Sequence, residues 1–308
     1  MTPPAHWDEV EGEHFERGHI AATWADLGSA AGSVTVGVHR IRIDPGKWST
    51  PAHAEGTEEE IFYVLAGSGL SWQDGRVCEV AAGDCLVHLA KAEAHTLRAG
   101  PGGLDVLAFG QRAHPTMTHL PRAGIAWLGR TWVDVGRGGH PFEQEAAAGE
   151  PEVAAPSGRP SSIVATVDVP QVERGSGGDV LRLARDLGRA AGSVRTGLRH
   201  VTVPAGKLGA PPHCHSAEEE IFVVLDGDGA LLLGDEEHPV RAGSVVARPA
   251  ASRVAHSLRA GDGGLVYLAY GTREPNDIAY YPRSGKVYLR GVGVIARLEQ
   301  LDYWDGES

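Results

Sequence analysis

Pro211-Pro212-His213-Cys214-His215-Ser216-Ala217-Glu218-Glu219-Glu220-Ile221-Phe222-Val223-Val224-Leu225-Asp226-Gly227 is the stretch whose reading decides the rest. His213 and His215 are two residues apart, so on a β-strand both imidazoles point to one face. Glu220 opens an apolar run, Ile221 to Leu225, that reads as a second strand ending at a Gly227-Asp228-Gly229 turn. A further histidine, His256, follows Arg241-Ala242-Gly243-Ser244-Val245-Val246-Ala247-Arg248-Pro249 and starts another β-like segment. Three imidazoles and one carboxylate on strands of a small barrel make a four-ligand metal site.

The same signals occur twice. Leu27 to Val34 returns as Leu187 to Val194, and Glu58-Glu59-Glu60-Ile61-Phe62 returns as Glu218-Glu219-Glu220-Ile221-Phe222. His95-Thr96-Leu97-Arg98 returns as His256-Ser257-Leu258-Arg259. A register of roughly 160 residues is far too long for a solenoid unit, so a whole domain is duplicated. The expected organisation is an N-terminal arm (residues 1–20) docked through Trp7, a first barrel (21–135), a linker (136–162) and a second barrel (163–308). Each half is expected to hold seven to ten short strands closed into a barrel-like double sheet, because short β-domains must cover their edges. Asp74-Gly75 and Gly234-Asp235 mark turns. The fold class is all-β, two tandem barrels in one chain. Short apolar runs punctuated by 42 glycines agree with this, and long helical periodicity is missing.

Composition removes several functions. A net charge of −12 argues against a nucleic-acid footprint. No apolar run approaches the ~18 residues of a membrane span, and the N-terminus shows no signal peptide. A cytoplasmic location is expected, with Cys78, Cys85 and Cys214 reduced and buried. Nucleotide-binding glycine loops, serine-hydrolase elbows and Cys-x-x-Cys pairs are missing from the sequence.

Gly206-x5-Pro212-His213-x-His215-x4-Glu220-x6-Gly227 resembles the first cupin motif, with its glycine-to-histidine spacing offset by one residue. Gly243-x5-Pro249 followed by His256 resembles the second, with Ala251 and Ala260 where a glycine and an asparagine are usual. Both halves carry the resemblance, so the chain is similar to a bicupin. Its ending, Asp302-Tyr303-Trp304-Asp305-Gly306-Glu307, is similar to that of a group of bacterial cupin-domain proteins.

In the second half the metal ligands are His213, His215, Glu220 and His256. Glu220 is chosen because it shares parity with Phe222 and Val224 while Glu219 faces away, and the family's spacing implies the same residue. Glu218 shares that parity but is expected to stay solvated at the turn. One such histidine alone would be a satisfied core or rim residue; three with this spacing and a placed glutamate are a ligand set. Cys214 points to the opposite face as a small hydrophobe.

In the first half the matching residues are His53, Glu55, Glu60 and His95, with glutamate in place of the second histidine. Two readings stand open: a two-His, two-carboxylate site suited to Mn(II), with His88 as an extra ligand, or a decayed site kept for packing. Imidazoles with a carboxylate suit Fe, Mn, Ni, Cu or Zn, so the expected cofactor is one divalent transition metal, with a second in the first barrel left open.

Lys47 and Lys207 read as turn residues, and Arg248 and Arg253 as a carboxylate clamp or as surface arginines. Tyr280, Tyr281, Tyr288, Tyr303 and Trp304 read as packing between barrels or subunits. Three functions remain. The resemblance implies a metal-dependent dioxygenase or decarboxylase acting on a small organic molecule, and also admits a sugar or keto-acid isomerase or epimerase. The third is a non-catalytic small-molecule binder. No nucleic-acid or membrane partner is expected, and homo-oligomers are left open.

Overall fold

A computed structural model of the chain describes residues 2–129, 131–134, 139–175 and 177–307. The expected boundary at 135/136 lies outside the described residues. Each half consists of an eight-stranded and a four-stranded antiparallel sheet. They are arranged as a jelly roll and do not close into a continuous ladder. The first large sheet runs Ile163–Ala165, Asp84–His88, Glu60–Gln73, His95–Gln111, Val36–Ile43, Ile20–Asp26, Glu13–Arg17, with Arg76–Ala81 paired to Glu60–Gln73. The second runs Ala5–His6, Ser244–Arg248, Glu220–Leu233, His256–Thr272, Thr196–Val203, Leu181–Asp186, Val172–Gly175, with Glu236–Arg241 paired to Glu220–Leu233.

The two orders expose corrections to the expected organisation. Ala5–His6 pairs with Ser244–Arg248 of the far half, and Ile163–Ala165 pairs with Asp84–His88 of the near one. Each half thus receives an edge strand from the other, and within residues 1–20 Ala5–His6 and Glu13–Arg17 join the two large sheets. Trp7 does dock, under the Arg40 guanidinium at 4.5 Å. The stretch 136–162 carries a helix, Pro141–Ala147, whose Glu145 is fully buried against Arg122 at 2.7 Å. Strands also outnumber the expectation, because two-residue ladders such as Ala54–Glu55 and Cys214–His215 leave no periodicity to read.

Gly227-Asp228-Gly229 is not a turn. The strand Glu220–Leu233 runs through it with shifted register, a bulge that bends the ladder without ending it. Glycine is required there: φ is +78° at Gly227, and a Cβ would sit 2.2 Å from the Gly264 carbonyl oxygen. The hairpins themselves turn at Asp74-Gly75 and Gly234-Asp235 as the sequence indicates.

Each half has its own interior core, around Phe62, Val64 and Leu97 in one and Phe222, Val224 and Leu258 in the other. A third core joins them. Leu27, Ile61, Leu107 and Phe109 pack there with Leu187, Ile221, Leu268 and Tyr270, and the Phe109 and Tyr270 rings stack at 5.1 Å. The Glu-Glu-Glu triplets sort by strand parity. Their middle members cross this junction: Glu59 accepts from the Val194 and Thr196 amides and the Ser193 hydroxyl, and Glu219 accepts from the Val34 and Thr35 amides. The three cysteines are free and buried, as expected.

Candidate metal centre

Strand parity turns Glu220 inward at the start of Glu220–Leu233, and the neighbouring ladder brings His256 opposite His213 through an isolated bridge. The imidazoles of His256, His215 and His213 then place Nε2 at 3.0, 3.3 and 3.9 Å from one Glu220 carboxylate oxygen. Donor atoms of His213, Glu220 and His256 lie within 4.8 Å of one another. All four residues expected from the sequence are therefore gathered at one point. Cys214 is buried and outside this group.

The opposite edges of the rings are already engaged. His213 Nδ1 is 2.8 Å from the Pro211 carbonyl oxygen, and His215 Nδ1 is 2.7 Å from Asp277 Oδ2. Donation from Nδ1 leaves the Nε2 lone pair free, the tautomer a metal requires. His215 Nε2 is a buried atom with no hydrogen-bond partner. Charge points the same way. Burial disfavours a charged His215, yet Glu220 and the Asp277 hydrogen bond raise its pKa to about 10. Burial and neighbouring cations lower His213 to about 4. Glu220 is held well below the usual carboxylate range by His215 and His256 despite its burial. Glu220 and Asp277 call for a positive charge at His215, beside two imidazoles whose pKa is lowered, and these residues fit a divalent transition metal.

Asp277 escaped the sequence reading. It is almost fully buried, accepts from the Ala217 and Glu218 amides as well as orienting His215, and lies 62 residues beyond its partner. The expectation that Glu218 stays solvated is overturned. It is buried, accepts from the Glu274 amide and pairs with Arg290 at 2.5 Å, because the strand Ile278–Tyr281 and its successor fold over the turn. Burial raises the Glu218 carboxyl to about 7.

The first half gathers less. His95 and His53 place Nε2 at 3.0 and 3.4 Å from Glu60, and these three form a compact donor group. Glu55 stands outside it, its two carboxylate oxygens 2.9 and 3.1 Å from the Thr118 hydroxyl. Burial, then the neighbouring Glu60, raise the Glu55 carboxyl to about 7. His88 is also outside the group, stacked face to face on His95 at 3.7 Å. Both halves thus carry a His/Glu group of the kind that holds a divalent metal, with three imidazoles around the carboxylate in the second and two in the first.

A cavity of ≈ 730 Å³ opens over the second group and one of ≈ 460 Å³ over the first. Of the two readings of Arg248 and Arg253, the carboxylate clamp is not formed in the second cavity, and only Arg253 is a surface arginine. Arg248 is buried in the ladder opposite Glu220, and Arg253 is exposed in a positive-φ turn. Arg174, Arg182, Arg199 and Arg290 line the cavity instead. Tyr281 and Tyr288, expected to pack between barrels or subunits, also line it, with Tyr281 stacked on His213 at 5.5 Å. Tyr303 and Trp304 are exposed and pack on each other. Lys47 and Lys207 bond the Gly18 and Gly178 carbonyls, away from both cavities. No helix among the described residues is long and apolar enough to cross a membrane.

The sequence profile of the cupin domain matches this chain twice, over residues 39–102 and 199–269, and the duplicated jelly roll agrees with it. The chain thus carries two cupin domains in tandem, a bicupin arrangement. Among solved structures it is similar to the formate complex of oxalate decarboxylase from Lactobacillus farciminis, at 15% identity and a TM-score of 0.61, covering 91% of this chain and 88% of that one. Bacillus subtilis oxalate decarboxylase, studied for its Mn(II) centres, is similar at 16% identity and a TM-score of 0.57, over 87% and 76%. At such identities the likeness concerns the fold. No curated protein matches by sequence.

Proposed function

We propose that the second barrel holds one divalent transition metal through His213, His215, Glu220 and His256 and acts on a small organic acid, by decarboxylation or a related dioxygenase-type reaction. The observation that carries this reading is the convergence of three imidazole Nε2 atoms on one Glu220 oxygen at the floor of a ≈ 730 Å³ cavity. When bound, the metal would supply Lewis acidity toward a substrate oxygen, and with Mn or Fe also redox capacity. The chain's own residues orient and enclose. Asp277 fixes the His215 ring, Pro211 fixes His213, and Tyr281 closes over that imidazole. Decarboxylation is placed first because the oxalate decarboxylases share the bicupin fold.

The test is to load the full chain with Mn(II) or Fe(II) and screen a panel of mono- and dicarboxylic acids for carbon dioxide release and oxygen uptake. Carbon dioxide release abolished by His256→Ala supports the reading, and oxygen consumption alone moves it to the dioxygenase branch. Metal-loaded protein that does neither across the panel overturns it.

A further inference from the structure

The duplication lets each sheet position be read twice. On the inner face of the second large sheet, Arg174 and Arg182 are direct cross-strand partners, and Arg199 stands opposite Asp186 one strand further in, its Nε 3.7 Å from that carboxylate. All four line the cavity above the imidazole cluster. At the same register the first half has Phe15 opposite Ala22, and His39 opposite Asp26. The tyrosines follow suit. Tyr267 and Tyr281 of the second cavity occupy the places of Val106 and Leu120. The first cavity is lined instead by Glu55, Glu58 and Glu60 with aromatic rings.

Like charges directly opposed across a ladder destabilise it, and Phe15 with Ala22 shows that the fold manages without them. Among the described residues neither Arg174 nor Arg182 has a carboxylate partner; Arg182 donates to the Gly209 carbonyl at 3.1 Å. A guanidinium presents paired N–H donors of the geometry that carboxylate and phosphate accept bidentately, and the cross-strand register brings two of them to the lining of one cavity. The volume of ≈ 730 Å³ leaves room for a carbon spacer between two ligand ends.

We infer that the second cavity selects an organic dianion, one end at the imidazole cluster and a second carboxylate or phosphate on Arg174, Arg182 and Arg199. The first end rests on the metal reading above; the second rests on the arginines alone. The first cavity, whose half carries Phe15, Ala22 and His39 at the places of those three arginines, takes no such ligand.

Calorimetric titration of the full chain tests this with succinate, phosphoglycolate, the monoanion succinamate and neutral succinamide, with metal content measured on every sample. Arg182→Ala and Arg199→His each copy the residue that the first half carries, so at least one is expected to fold as the parent does. The expected result is dianion binding about tenfold or more tighter than succinamate, weakened about ten- to a hundredfold by either substitution with metal content unchanged. The stronger of succinate and phosphoglycolate identifies carboxylate or phosphate as the far group. Dianions that bind no tighter than succinamate to metal-loaded protein overturn the inference, as does binding indifferent to both substitutions; in either case the metal reading stands. Arginine-dependent dianion binding to protein that takes up no metal upholds the arginine site and removes the metal reading instead.

Discussion

His215 stands between Glu220 on one ring edge and Asp277 on the other. A metal at Nε2 displaces the proton these carboxylates favour, so uptake releases protons and apparent affinity falls as pH falls. Asp277 acts through the ring and not on the ligand cavity. Asp277→Asn is expected to weaken metal binding about ten- to a hundredfold, measured by competition with a chelating dye, while the thermal midpoint moves little. Unchanged affinity would reduce Asp277 to a loop anchor for Ala217 and Glu218. The clustering of His213, His215, Glu220 and His256 was legible in the sequence because spacing and parity are short-range signals: His213 and His215 lie within one ladder step, and Glu220 starts a run whose alternation gives its direction. Asp277 was not legible, since nothing periodic ties a buried aspartate to a histidine 62 residues earlier. The cavity arginines left a usable trace that the motif reading did not follow, namely arginine in one repeat where the other has alanine or histidine.

At the scale of elements, the site depends on strands that bend without stopping. Glu220–Leu233 carries Glu220 at one end and the hairpin at the other, and its bulge at Gly227 sets the angle between them. The turn expected there failed because Gly-Asp-Gly fits a bulge as well as a turn, and only the partner strand distinguishes them. Gly227→Ala is expected to cost about 1–3 kcal/mol in urea unfolding, since a Cβ would meet the Gly264 carbonyl and the positive φ disfavours it. The short helix Leu27–Ala30 is capped by Asp26, which accepts from the Ser29 amide and hydroxyl. Burial opposes ionisation of Asp26, but those hydrogen bonds, His39 and Arg112 outweigh it and lower its pKa. The folded value lies below the unfolded one, so this stabilisation is present above the ordinary carboxylate value and lost as pH falls through the lowered one. Asp26→Ala is expected to cost about 0.5–1 kcal/mol at neutral pH, and the gap to wild type should close on acidification. A gap that persists in acid would assign the loss to packing.

For the whole molecule, exchanged edge strands, a shared core and the Glu59 and Glu219 contacts bind the halves into one unit. The duplication was plain in the sequence, but the exchange was not, because strands of two or three residues carry no pattern. Unfolding is expected to be a single cooperative transition by both calorimetry and circular dichroism. Residues 21–135 and 163–308 expressed apart should fail to fold stably, the first lacking Ile163–Ala165 and the second lacking Ala5–His6. All three cysteines should resist a thiol reagent until denaturant is added; burial also pushes the Cys85 thiol up and keeps it protonated. The central claim is that the two similar halves have divided roles, with the metal chemistry in the second. Its most direct test is elemental analysis of the purified chain beside His256→Ala and His95→Ala. The account predicts about one equivalent or more of a divalent transition metal in wild type, retained at about that level in His95→Ala and lost from the second barrel in His256→Ala. Full metal content in His256→Ala with loss confined to His95→Ala would contradict it.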